Sequence, residues 1–234
     1  TGTMMLELQE RVSELENWTD GKGLIIHGAG NTFCSGSDLN VVKAISNSQA
    51  SGDRSEDGMN MCMFMQSTLT RLMRLPLISV ALVQGKAFGG GAELSTACDF
   101  RAGGGTGWAL RSFPTQTVPG WGGAARLVAI VGHGAALRLL SGATGVDPET
   151  ARHLGLSEET LGSSDGSGAL EEARAWLGRH TEGPASVVRA TKEVVAAGRE
   201  LPLEAALRTE KDIFGRVWGG PANLQALERR AKHK

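Results

Sequence analysis

Two glycine-centred stretches carry most of the chemistry this sequence could perform. The first, Asn31 to Leu39, reads NTFCSGSDL and follows the apolar run GLIIHG. The second, Gly85 to Phe100, reads GKAFGGGAELSTACDF and follows LISVALV, with three consecutive glycines at Gly89, Gly90 and Gly91. Glycine is used where backbone must take a positive φ or come close to something, and it carries an entropic cost. Each stretch places free backbone N–H groups where a strand ends. The second leads into a helix start, whose unpaired N–H groups and positive dipole end suit an anion. Two such turns brought together form a two-donor oxyanion hole, which stabilises charge developing on a carbonyl oxygen. Taken singly, either stretch also reads as an ordinary tight turn.

Glu93 stands one helical turn beyond Gly90. In an apolar pocket its charged form is disfavoured and it can donate a proton near neutral pH; on an open surface it is a solvated first-turn glutamate favoured by the dipole. Asp38 reads as the cap of the following helix. Cys34 lies inside the first turn and reads as a small packing residue, since no neighbouring residue activates it as a nucleophile. The five histidines, His27, His133, His153, His180 and His233, lack metal-ligand spacing, so no metal is expected.

These turns need strands behind them and helices after them. Met5, Leu8, Val12 and Leu15 form one stripe of an amphipathic helix, and Gly23 to Gly28 reads as a short buried strand. Ser46 to Gly58 is polar and aperiodic and reads as a surface loop. A helix then runs through MNMCMFMQSTLTRLMRL, its methionines taken as core filling, and stops at Pro76 before the strand LISVALV. Beyond Gly120 the spacing predicts helices over 122–131, 147–154, 170–180, 185–198, 203–217 and from 223 onward. The outline is an α/β part over 1–120 and a helical part over 121–234.

The totals exclude several classes of function. With 24 Lys+Arg against 25 Asp+Glu, the chain carries no basic excess for nucleic acid or an anionic membrane. No apolar run approaches the roughly 18 residues of a membrane-spanning helix, and no basic-plus-apolar leader is seen. Three scattered cysteines, Cys34, Cys62 and Cys98, argue against a disulfide framework and for a reducing compartment such as the cytosol.

The motifs resemble those of the crotonase (enoyl-CoA hydratase/isomerase) superfamily. FCSGSDL is similar to its first signature, GKAFGGGAELSTACDFR to its second, and PGWGGAARL to the Pro-x-x-Gly-Gly segment that follows. Further likeness runs through TMMLELQERVSELENWTDGKGLII, CMFMQSTLTRLMRLPLISVALVQG and VWGGPANLQAL. The resemblance implies an α/β fold, a spiral of strand-strand-helix turns with a C-terminal helical region that drives trimers, often paired into hexamers. It also implies that the backbone N–H groups of Ser37 and Gly90 bind an acyl-CoA thioester oxygen, with Glu93 as the pocket acid. Cys34, Gly36, Gly89 and Gly91 then line the substrate site. Lys192 and Lys211 lie where relatives place basic groups near CoA phosphates, although solvated helix faces explain both.

Which reaction follows depends on a second carboxyl group. Hydration of a double bond uses two, and the second would fall on Ser112; between Asp99 and Asp147 the sequence has no Asp or Glu. A hydratase is therefore disfavoured and decarboxylation of a malonyl-type thioester expected; the resemblance, not the inventory of acids, implies ethylmalonyl-CoA, and also methylmalonyl-CoA, as the substrate, giving butyryl-CoA or propionyl-CoA. CoA arrives as part of the substrate, and no separate cofactor is implied. An enoyl-CoA hydratase/isomerase and a non-catalytic acyl-CoA-binding homologue are the alternatives.

Overall fold

The computed structural model describes residues 1–30, 32–36, 38, 54–103, 109–111, 118–142, 145–163 and 165–231. Its strands are β1 (Gly23–His27), β2 (Thr32–Cys34), β3 (Ile78–Val83), β4 (Lys86–Phe88), β5 (Phe100–Gly103), β6 (Ala109–Arg111) and β7 (Glu159–Thr160). Its helices are α1 (Gly2–Glu16), α2 (Arg54–Arg74), α3 (Gly90–Ser95), α4 (Gly123–Val131), α5 (His133–Gly142), α6 (Pro148–His153), α7 (Gly166–His180), α8 (Ala185–Glu200), α9 (Leu203–Val217) and α10 (Pro221–Ala231).

Successive strands alternate between two parallel sheets. The odd-numbered strands form one in the order β1-β3-β5-β7, and the even-numbered strands the other, β2-β4-β6. This dealing is the α/β spiral of strand-strand-helix turns. It explains why LISVALV is apolar but for Ser79: Val80 and Leu82 pack towards Ala173 and Trp176 of α7, whereas Ala81 and Val83 pack towards Phe33 and Leu127. A parallel strand covered on both faces has no polar side.

The stripe expected on α1 is present, with Val12 buried and Met5, Leu8 and Leu15 packed around Met65, Leu69 and Leu72 of α2. Two readings need correction. Residues 54–58, read as loop, open α2, where Glu56 and Asp57 occupy the acidic first turn. Of the methionines taken as core filling, Met65 is buried while Met59, Met61 and Met63 are exposed. At 3.6 residues per turn the inner stripe is Met65, Leu69 and Leu72, and alternate methionines cannot all lie on it.

The segment after Gly120 is mainly helical, as read, but it also contributes β7 to the first sheet, in register with Ala102 and Gly103 of β5. Arg101 fastens that junction. Its buried guanidinium donates to the Cys98 and Leu156 carbonyls (3.0 and 2.6 Å) and pairs with Glu158 at 2.6 Å. Among the described residues no helix is long and apolar enough to cross a membrane.

Candidate active site

The two glycine turns meet at the ends of adjacent strands, because β2 and β4 are parallel neighbours. Gly36 has φ +87°, and a Cβ there would lie 2.9 Å from the Phe88 carbonyl oxygen. Gly89, at φ +50°, turns the chain from β4 into α3. Gly91 packs so closely on Cys34 that an added Cβ would lie 2.5 Å from the cysteine Cβ. Cys34, Gly36, Gly89, Gly90 and Gly91 are thus brought together. Ser37 lies outside the described residues, as does the helix Asp38 was read to cap.

Gly90 is the first residue of α3 and is buried. The first amide to close the helix is that of Glu93, which donates to the Gly89 carbonyl at 3.0 Å. The Gly90 N–H, three residues earlier, therefore has no partner carbonyl within the helix. Its Cα faces an aromatic wall: a Cβ there would lie 2.2 Å from Cζ3 of Trp121.

Glu93 has neither of the surroundings read from the sequence, being neither solvated nor in an all-apolar pocket. It is 9% exposed, and its carboxylate grips the turn that opens α4. Oε2 accepts the Trp121 and Gly123 N–H groups, both at 2.8 Å, and Oε1 accepts that of Gly120 at 3.3 Å. Gly123 admits the side chain because a Cβ there would lie 2.4 Å from Glu93 Cγ. The same turn is held elsewhere: Gln66 donates to the Gly120 carbonyl at 2.7 Å, and Arg126 to the Trp121 and Glu93 carbonyls, each at 3.0 Å. Burial draws the Arg126 guanidinium below its ordinary pKa, with the Glu93 charge opposing. Burial also raises the Cys62 thiol beside this turn, and the Glu93 charge adds to the rise.

Trp121, Arg126 and Gln66 were not singled out by the sequence reading. An aromatic set between glycines in PGWGG was the available signal for Trp121, whereas nothing local marks Gln66. Lys192 also departs from expectation. It is buried and ion-paired with Asp99 rather than solvated, whereas Lys211 is exposed beside Asp212 at 3.1 Å, as read. Among the described residues no group of three or more His, Cys, Asp or Glu could hold a metal.

The family model described as enoyl-CoA hydratase/isomerase matches residues 1–222. Ethylmalonyl-CoA decarboxylase of Gallus gallus is 75% identical over 99% of this chain and 76% of its own length. That of Homo sapiens is 55% identical over 99% of this chain and 74% of its own length. Among solved structures, an enoyl-CoA hydratase from Bacillus anthracis superposes with a TM-score of 0.85 at 25% identity, covering all of this chain and 87% of that one. A putative enoyl-CoA hydratase from Thermobifida fusca in complex with CoA gives 0.75 at 26% identity, covering 99% and 85%.

Proposed function

This chain belongs to the enoyl-CoA hydratase/isomerase family, and on that premise we propose that it decarboxylates ethylmalonyl-CoA, and also methylmalonyl-CoA, to butyryl-CoA and propionyl-CoA. The observation that carries the reading is the inventory of acids: Glu93 stands beside the glycine turns, and between Asp99 and Asp147 the sequence has no second carboxyl group. Likeness to decarboxylases of that substrate, over 99–100% of this chain and 76% of their own length, supports it.

In this reading the thioester oxygen accepts hydrogen bonds from the backbone N–H groups of Gly90 and Ser37. The bond from the α-carbon to the substrate carboxylate breaks, CO2 leaves, and the electron pair passes into the thioester as an enolate. Charge develops on the oxygen that the two amides face, so their stabilisation grows towards the transition state. A proton from solvent, taken up first by the Glu93 carboxylate, then reaches the α-carbon with Glu93 as the acid. The thioester delocalises the electron pair itself, so the chemistry asks for no metal, biotin or pyridoxal group.

The same reading takes the protein for a cytosolic homotrimer or pair of trimers. Free Cys34, Cys62 and Cys98 suit a reducing compartment. Leu203, Leu207 and Phe214, with Trp218 just past its end, give α9 an exposed apolar face suited to a subunit contact, whereas Ile213 of the same stripe is buried.

Incubation with ethylmalonyl-, methylmalonyl- and crotonyl-CoA, followed by mass spectrometry of the thioesters, tests the reaction. Loss of CO2 from the first two is expected. Hydration of crotonyl-CoA with no decarboxylation would replace this reading by a hydratase, and binding without turnover by an acyl-CoA-binding protein.

A further inference from the structure

We infer that Trp121 sets the size of acyl group this site accepts, acting as the wall against which the α-substituent of the thioester lies. The inference rests on the decarboxylase reading for its substrate class, but its geometry is independent of the reaction. An oxygen bonded to the Gly90 N–H lies about 2.9 Å from that nitrogen, and the carbonyl bond adds about 1.2 Å. The acyl α-carbon follows one bond later, roughly 4–5 Å from the Gly90 nitrogen, and in this inference lies on the side of Gly90 against which Trp121 packs. That packing is close, since the Trp121 Cζ3, Cη2 and Cε3 atoms lie 2.2, 2.4 and 2.8 Å from where a Gly90 Cβ would be.

A wall discriminates by size only if it cannot yield. Trp121 is fixed through its main chain on both sides, by Glu93 at its N–H and by Arg126 at its carbonyl. Gly120 before it is held by Gln66 and Glu93, and Gly123 after it by Glu93. The indole also packs on the core cluster of Met65, Leu69 and Leu72, which stops it from swinging away from Gly90. A substituent longer than the space beside the ring must displace a group anchored at several points. One methylene in such a pocket changes discrimination by about 10- to 200-fold.

The test compares the unaltered protein with Trp121→Phe and Trp121→Leu, after circular dichroism has established that each is folded. Two quantities are read: kcat/KM for butylmalonyl-CoA relative to ethylmalonyl-CoA, and calorimetric Kd for hexanoyl-CoA relative to butyryl-CoA. Both preferences should move towards the longer chain by about tenfold or more in Trp121→Leu, with Trp121→Phe between. Folded variants whose binding and kinetic ratios both stay within twofold of the unaltered protein would overturn the inference. If the unaltered protein binds these thioesters but decarboxylates none, the reaction reading fails and the binding ratio alone decides the role of Trp121. If folded protein binds neither thioester, the acyl-site inference is overturned as well.

Discussion

Lys192 on α8 and Asp99 ahead of β5 form an ion pair with side chains only 5% and 17% exposed. The other Asp99 oxygen accepts the Ser79 N–H at 2.8 Å and its hydroxyl at 2.9 Å, so one carboxylate ties α8 to two strands of the first sheet. Removing one partner of a buried pair leaves the other charge uncompensated. Lys192→Met should cost about 3 kcal/mol in denaturant unfolding, and Lys192→Met with Asp99→Asn should recover much of it. Additive losses would mean that the two charges do not support one another.

Glu93 can be asked separately about chemistry and about its clamp. In Glu93→Gln the amide oxygen can keep the Trp121 and Gly123 N–H groups while the NH2 meets only the long 3.3 Å contact from Gly120. Stability should then fall by about 1 kcal/mol, whereas Glu93→Ala strands one buried and two part-buried donors and should lose on the order of 3 kcal/mol. If Glu93 also delivers the proton, Glu93→Gln should lower kcat by about a hundredfold or more with KM little changed. Near-normal kcat in folded Glu93→Gln would leave Glu93 with the clamp alone.

At Gly90, any side chain meets Trp121, so removal of the N–H has to be measured against a control that clashes too. Gly90→Ala keeps the donor and Gly90→Pro removes it. Both should fall in activity, with Gly90→Pro lower by a further hundredfold or so, the cost of one oxyanion donor. Equal activities in folded protein would show that the N–H takes no part. Ser37→Ala should be nearly silent in the same assay, because its role is assigned to the backbone.

Three carboxylates predict how stability responds to acid. Asp147 is held below the ordinary carboxylate range by Thr150, Asp165 by the Gly168 N–H and then Ser167, and Glu172 by Ser163 and then the Gly162 N–H. With folded pKa values below unfolded ones, the unfolded chain binds more protons as acid is added. Their contribution is present at neutrality, begins to fade near about pH 4.5 and is lost as pH falls through the folded values. Replacement by Asn, Asn and Gln, which retain an acceptor oxygen, should flatten thermal stability between about pH 5 and 3. An unchanged slope would mean that other groups govern acid unfolding.

What could be read beforehand follows from how local each signal is. The helix at Leu203–Val217 was placed correctly because Pro202 sets its start and its apolar spacing persists over fifteen residues. Strands β2, β4 and β6 span three residues each, too short for alternation to register. The convergence of Gly36 and Gly91 was inferable because glycine marks close backbone approach. The threefold grip of Glu93 on Gly120, Trp121 and Gly123 was not, since it joins segments across a fold rather than along a helix. Lys192 was misread for the same reason: its partner lies far earlier in the chain, and an isolated lysine on a helix looks solvated.

Because β7 completes the first sheet from late in the sequence, a chain emerging from the ribosome must carry β5 with an open edge until Glu159 and Thr160 have been made. Until then Arg101 also lacks its partners at Leu156 and Glu158. A nascent or prematurely terminated product ending near Gly120 therefore exposes an unpaired strand beside an uncompensated interior cation. Such an edge is a template for pairing with other chains, which makes truncation products of this gene candidates for chaperone retention or aggregation rather than for a smaller working protein.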